Sequence, residues 1–70
     1  MRKVIDMTFG EKLKTLRQQK SMSQFKLSLK TEIPQCLISW YETGRTQPTL
    51  GNLEVLCAAL DISATELVGF

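Results

Sequence analysis

The sequence predicts an all-α fold, a compact bundle of five helices. Three observations carry that reading. Apolar residues recur at helical spacing in successive short windows. A Ser, Thr or Pro start signal opens each window. No stretch shows the apolar–polar alternation of a strand. Seventy residues with 43% hydrophobic content suffice for one small domain and are expected to leave no room for a separate sensor or catalytic domain.

Residues 1–7, MRKVIDM, have no helical period and read as an N-terminal arm, with the folded domain over 8–70. Thr8 opens T-F-G-E, in which Glu11 stands where a capping box wants its carboxylate. Phe9, Leu13, Leu16 and Lys20 follow at helical spacing, so the first helix covers Phe9 to Gln19. Ser23 caps a second helix holding Gln24 to Lys30. Pro34 opens a third, because a proline in the first turn gives up no needed N–H. It also turns Ile33 away from the helical region, and Gly44 supplies a left-handed stop. RTQPT is a loop, with Thr49 as the next cap. Leu50, Leu53, Leu56, Cys57 and Leu60 form the apolar stripe of a fourth helix. Ser63 to Glu66, S-A-T-E, is a second capping box, for a short fifth helix with Leu67 and Phe70.

The expected core is Phe9, Leu13, Leu16, Leu27, Ile33, Ile38, Tyr41, Leu50, Leu53, Leu56, Leu60, Ile62 and Leu67. At about 1.5–3 kcal/mol per buried large side chain, such a set holds a small domain together with little to spare. Two charges sit at the margins of buried stripes: Arg17 beside Leu13 and Leu16, and Glu42 beside Ile38 and Tyr41. An unpaired charge there is expensive, so Arg17 and Glu42 are expected to meet.

Several function classes fall away. Two cysteines, Cys36 and Cys57, with no histidine, fall short of a zinc site. They read as reduced thiols of a cytoplasmic protein. No metal or cofactor is expected. No membrane span, secretory signal, phosphate loop or paired acids of a cleft are visible, which argues against an enzyme. Charge is uneven: residues 1–30 carry eight Lys or Arg against two acids, and residues 31–70 one Arg against five acids. Such asymmetry suits one face turned to phosphate, although lysines that merely keep a small domain soluble would give the same count.

Two helices joined by a tight turn, the second of them exposed, are how many proteins enter a DNA major groove. The residues here carry a specific resemblance. L-x-x-L-R from Leu13 to Arg17, S-Q-x-x-L over Ser23, Gln24 and Leu27, and I-S-x-x-E-x-G from Ile38 to Gly44 run without a gap into Pro48. The leucines from Leu53 to Leu60 continue the pattern. From Phe9 to Leu67 the chain resembles lambda-repressor-like helix-turn-helix domains of the Cro/C1-type (XRE) family. The resemblance implies sequence-specific binding of double-stranded DNA, transcriptional regulation (repression first) and a dimer. One half-site read by so small a domain discriminates little, so a homodimer on a palindromic operator is expected. It also makes Arg17 and Glu42 a structural pair. Two positions depart from the family: Glu32 stands in the turn where glycine is common, and Ser28 where alanine is common.

The period turns Ile38 and Tyr41 of the third helix inward. That leaves Gln35, Cys36, Leu37, Ser39 and Trp40 outward, and the resemblance implies base contacts at Gln35, Cys36 and Ser39, with Leu37 and Trp40 flanking. Gln35 can pair bidentately with adenine, Cys36 and Leu37 can touch thymine methyls, and no Arg or Lys is present to read guanine, so an A·T-leaning half-site follows. Trp40 has two readings, against the backbone at the groove edge or half-buried against the fourth helix. Phosphate contacts are expected from Ser23, Gln24, Thr43, Arg45 and Gln47, with lesser help from Lys26, Arg2 and Lys3. Dimer surfaces could come from Leu67, Val68 and Phe70 or from Val4 and Ile5. The alternative function is an antitoxin or protein-interaction module on the same fold, with a toxin or co-regulator as partner.

Overall fold

The computed structural model describes residues 8–68, among which there are five helices and no strand: α1 (Phe9–Gln19), α2 (Gln24–Thr31), α3 (Gln35–Thr43), α4 (Leu50–Leu60) and α5 (Ala64–Val68). The arm residues Arg2, Lys3, Val4 and Ile5, the side chain of Val68, and Phe70 lie outside the described residues.

Side-chain oxygens start four of the helices. Thr8 Oγ1 accepts from the Glu11 N–H, while Glu11 Oε1 accepts from the Thr8 N–H at 2.9 Å. Ser63 and Glu66 make the same reciprocal pair at α5. Ser23 and Thr49 each accept one N–H, from Lys26 and Asn52. These bonds satisfy donors that an unextended helix end leaves without partners. Pro34 behaves differently from the sequence expectation. It is the cap of α3 and not a member of its first turn, because its ψ of 140° keeps it extended. Its carbonyl still accepts the first helical N–H groups, from Leu37 and Ile38.

α1 packs most extensively on α3, α2 touches α3 and α4, and α5 closes against α1 and α4. Leu13, Leu27, Ile33, Ile38, Tyr41, Leu56, Cys57, Ala59, Leu60 and Leu67 are buried, with Phe9, Leu16, Leu53 and Ile62 half-buried around them. Leu50 is a correction: it is 73% exposed. It lies in line with α4's stripe, but Leu53 one turn later is itself only half-buried, so the stripe runs out toward solvent before reaching Leu50. The α1–α3 crossing is close enough to require Gly10. A methyl group there would fall on the carbonyl oxygens of Tyr41 and Glu42. At the α3–α4 contact, Asn52 Nδ2 donates to the Tyr41 hydroxyl at 3.0 Å.

Arg17 and Glu42 tie three helices together. Arg17 Nε donates to Glu42 Oε2 at 2.7 Å and its Nη2 to Oε1 at 3.0 Å, with both side chains more than nine-tenths buried. The third guanidinium nitrogen donates to the Met22 carbonyl at 2.8 Å. A planar guanidinium thus grips a carboxylate bidentately and the α1–α2 turn as well, which offsets the desolvation of both charges.

Candidate nucleic-acid interface

The geometry of α3 follows from the turn before it. Glu32 takes a left-handed conformation, φ 63° and ψ 16°, where a side chain is normally disfavoured. Neighbouring hydroxyls hold the chain there. The Ile33 N–H donates to Thr31 Oγ1 at 3.2 Å, and Ser28 Oγ donates to the Ile33 carbonyl at 2.6 Å. Both polar groups of residue 33 are therefore held by α2, while its side chain enters the core. The angle at which α3 leaves the turn is fixed without glycine. Ser28, which stands where the family commonly has alanine, is an active part of the turn.

From that start, Ile38 and Tyr41 point into the core and α3 ends at Gly44, φ 82°. Gln35 and Cys36 are exposed, Ser39 is half-buried, and Leu37 is half-buried against the core. Gln35, Cys36 and Ser39 therefore share the outer side of the helix, with Leu37 at its margin. Trp40 is 38% exposed. Its ring lies beneath Arg45, whose guanidinium carbon stands 4.8 Å from the ring centroid.

The five residues expected at phosphate divide into two groups. Ser23, Arg45 and Gln47 are exposed, and the Ser23 hydroxyl keeps its proton available while its oxygen caps α2. Gln24 and Thr43 are already engaged. The Gln24 amide donates to Glu42 Oε1 at 2.9 Å, so its side chain is drawn toward the buried ion pair. The second hydrogen of that amide remains a possible donor. The Thr43 hydroxyl turns back to the Trp40 carbonyl at 3.3 Å. An exposed hydroxyl in the last helical turn reaches its own backbone more readily than it reaches outward.

The two cysteines differ in setting. Cys36 is exposed on α3 and Cys57 is buried in α4. Burial pushes the Cys57 thiol above its usual range, with Glu54 and Glu66 adding to the effect. Among the described residues no group of His, Cys, Asp and Glu could hold a metal ion, and no helix is long and apolar enough to cross a membrane. On α2, Phe25 (58%) and Leu29 (65%) are apolar yet exposed one helical turn apart, a pair the sequence reading did not single out. The signal was present, since both fall off the face that carries Leu27.

The profile of a family described as "Helix-turn-helix domain" matches residues 8–68. The immunity repressor protein of Bacillus phage phi105 is 30% identical over 63 residues. That match takes in 90% of this chain and 44% of the repressor, so the chain spans less than half of that relative's length. The solved restriction-modification controller protein C.AhdI from Aeromonas hydrophila superposes with a TM-score of 0.82 at 34% identity, covering 84% of this chain and 89% of the other. The P22 c2 repressor, solved in complex with a synthetic operator, superposes with a TM-score of 0.84 at 27% identity, covering 90% and 96%.

Proposed function

The chain belongs to the helix-turn-helix domain family, as a DNA-binding transcriptional regulator of the lambda-repressor-like, Cro/C1 type, and from that premise we propose that it represses transcription by laying α3 in the major groove of a palindromic operator as a homodimer. The observation that carries this reading is the outer side of α3. Gln35 and Cys36 are exposed there, while among the described residues the side-chain bonds that tie the helix to its neighbours run through Tyr41 and Glu42. Gln35, Cys36 and Ser39 are the base-reading set, with Leu37 and Trp40 at its edges. Glutamine pairs with adenine and the apolar groups suit thymine methyls, so the half-site leans toward A·T.

Phosphate contacts come from Ser23, Arg45 and Gln47, from the N-terminal backbone of α2, and from the second hydrogen of the Gln24 amide. One half-site read by a single small domain gives little discrimination in a genome, which is why two copies on a two-fold site are proposed. The cytoplasm is the compartment that goes with this role.

Selection of bound duplexes from a random DNA pool at near-physiological salt tests the proposal. A palindromic, A·T-leaning consensus is the expected result. A folded protein that enriches no sequence overturns it. That second outcome would favour a protein-interaction module, an antitoxin or co-regulator whose partner docks on Phe25 and Leu29, the apolar pair exposed on α2.

A further inference from the structure

We propose that Trp40 serves DNA binding through Arg45, as the platform that holds the guanidinium in place, and not by reading bases itself. The inference rests on the reading of Arg45 as a phosphate contact and adds what makes that contact effective. Four observations support it.

Arg45 is the only Lys or Arg in residues 31–70, so the half of the chain that carries the recognition helix has a single cation to offer phosphate. Its backbone is brought back over the helix end. With Gly44 left-handed at φ 82°, the Arg45 N–H donates to the Trp40 carbonyl at 2.9 Å and the Thr46 N–H reaches the same oxygen at 3.4 Å. That return sets the guanidinium carbon 4.8 Å from the indole centroid, within the range of a cation–π contact. Finally, Trp40 is 38% exposed, so part of the ring meets solvent while another part is covered by the arginine.

A long exposed arginine normally gives up much rotamer freedom when it binds phosphate. A planar guanidinium resting on an indole has already given up part of that freedom, while its edge N–H groups can still donate to phosphate. The negative end of α3 also favours a cation at this position. That effect accounts for a charge near the helix terminus but not for a tryptophan beneath it.

Trp40 is the single tryptophan, so indole emission reports on this residue alone. In the full chain without DNA, Arg45→Gln is expected to change that emission. Unchanged emission would mean the stack is absent in solution and overturns the inference. Binding to a random-sequence duplex pool, followed by anisotropy across a salt series, supplies the second readout.

Arg45→Gln is expected to shallow the slope of log affinity against log salt by about 0.9. Trp40→Leu should shallow the slope too, and weaken binding about threefold, the size of an exposed cation–π contact. Trp40→Phe should restore most of the loss, and the double variant should bind no worse than Arg45→Gln alone. Additive losses, or a Trp40→Leu protein with the full salt slope, overturn the platform role and leave the phosphate contact standing. A full salt slope in Arg45→Gln overturns the phosphate contact itself, and the platform role with it. Thermal melts establish that each variant is folded.

Discussion

Arg17 and Glu42, 25 positions apart, form a buried bidentate ion pair whose carboxylate also accepts from Gln24, so α1, α2 and α3 meet on one side chain. Removing either partner strands the other charge in a site too dry for it. Arg17→Ala and Glu42→Ala are each expected to cost about 3–5 kcal/mol, enough to leave so small a domain barely folded. The double variant should lose much less than the sum, and chemical denaturation of the four proteins measures it. Independent, additive losses would refute the idea that the two charges act as a unit.

Gly10→Ala is expected to destabilise by about 1–3 kcal/mol, in the manner of an overpacked core. The atoms in the way are backbone carbonyls of α3, which cannot rotate aside. A melting temperature equal to the parent's would mean that α1 and α3 separate easily, contrary to the close crossing described above.

Glu32→Gly should stabilise the protein by about 1 kcal/mol, because glycine occupies the left-handed region without the penalty of a side chain. It also removes a negative charge beside the proposed DNA face, so duplex affinity should rise most at low salt. Ser28→Ala runs the other way. It leaves the Ile33 carbonyl without its hydroxyl donor and is expected to cost about 1–2 kcal/mol. Glu32→Gly melting lower than the parent would show that the glutamate side chain contributes something that the left-handed backbone does not explain.

The two thiols should separate cleanly in alkylation. Cys36 is exposed and expected to react at once, whereas Cys57 is buried, its thiol held protonated above the usual range by burial and by Glu54 and Glu66. Bound duplex should protect Cys36, which mass spectrometry of the labelled peptides would detect. Because the Cys57 thiol is raised in the folded state, its contribution to stability is complete below the ordinary thiol range and is lost as pH rises from there through the raised folded value. Cys57→Ala should flatten that alkaline decline, and an unchanged decline would assign it elsewhere.

Gln35→Ala should weaken binding to the selected operator by about 1–3 kcal/mol and relax preference at one base pair of each half-site. Weakening that is uniform over all sequences would make Gln35 a backbone contact instead.

Much of this was legible in the sequence because the signals are local. Caps at Thr8, Ser23, Thr49 and Ser63 need only a hydroxyl and a neighbouring N–H, so the helix boundaries follow from residues three apart. Arg17 and Glu42 could be matched over a long separation because each charge sat where burial demanded a partner. Leu50 was misread because periodicity fixes which side of a helix faces inward but not how far along its length the neighbours extend. The orientations of Gln24 and Thr43 were not legible either, since a side chain that can donate outward can also donate to a carboxylate or carbonyl already beside it. The stack of Arg45 on Trp40 depends on how the chain leaves Gly44, a dihedral detail that no spacing rule contains.

The ties that orient α3 run through Ile33, Ile38, Tyr41 and Glu42, none of which belongs to the proposed base-reading set. If Gln35, Cys36 and Ser39 read the operator as proposed, operator choice in this domain is a replaceable inscription on a fixed frame. Exchanging Gln35, Cys36 and Ser39 together is then expected to redirect the protein to a new sequence while its melting temperature stays nearly constant.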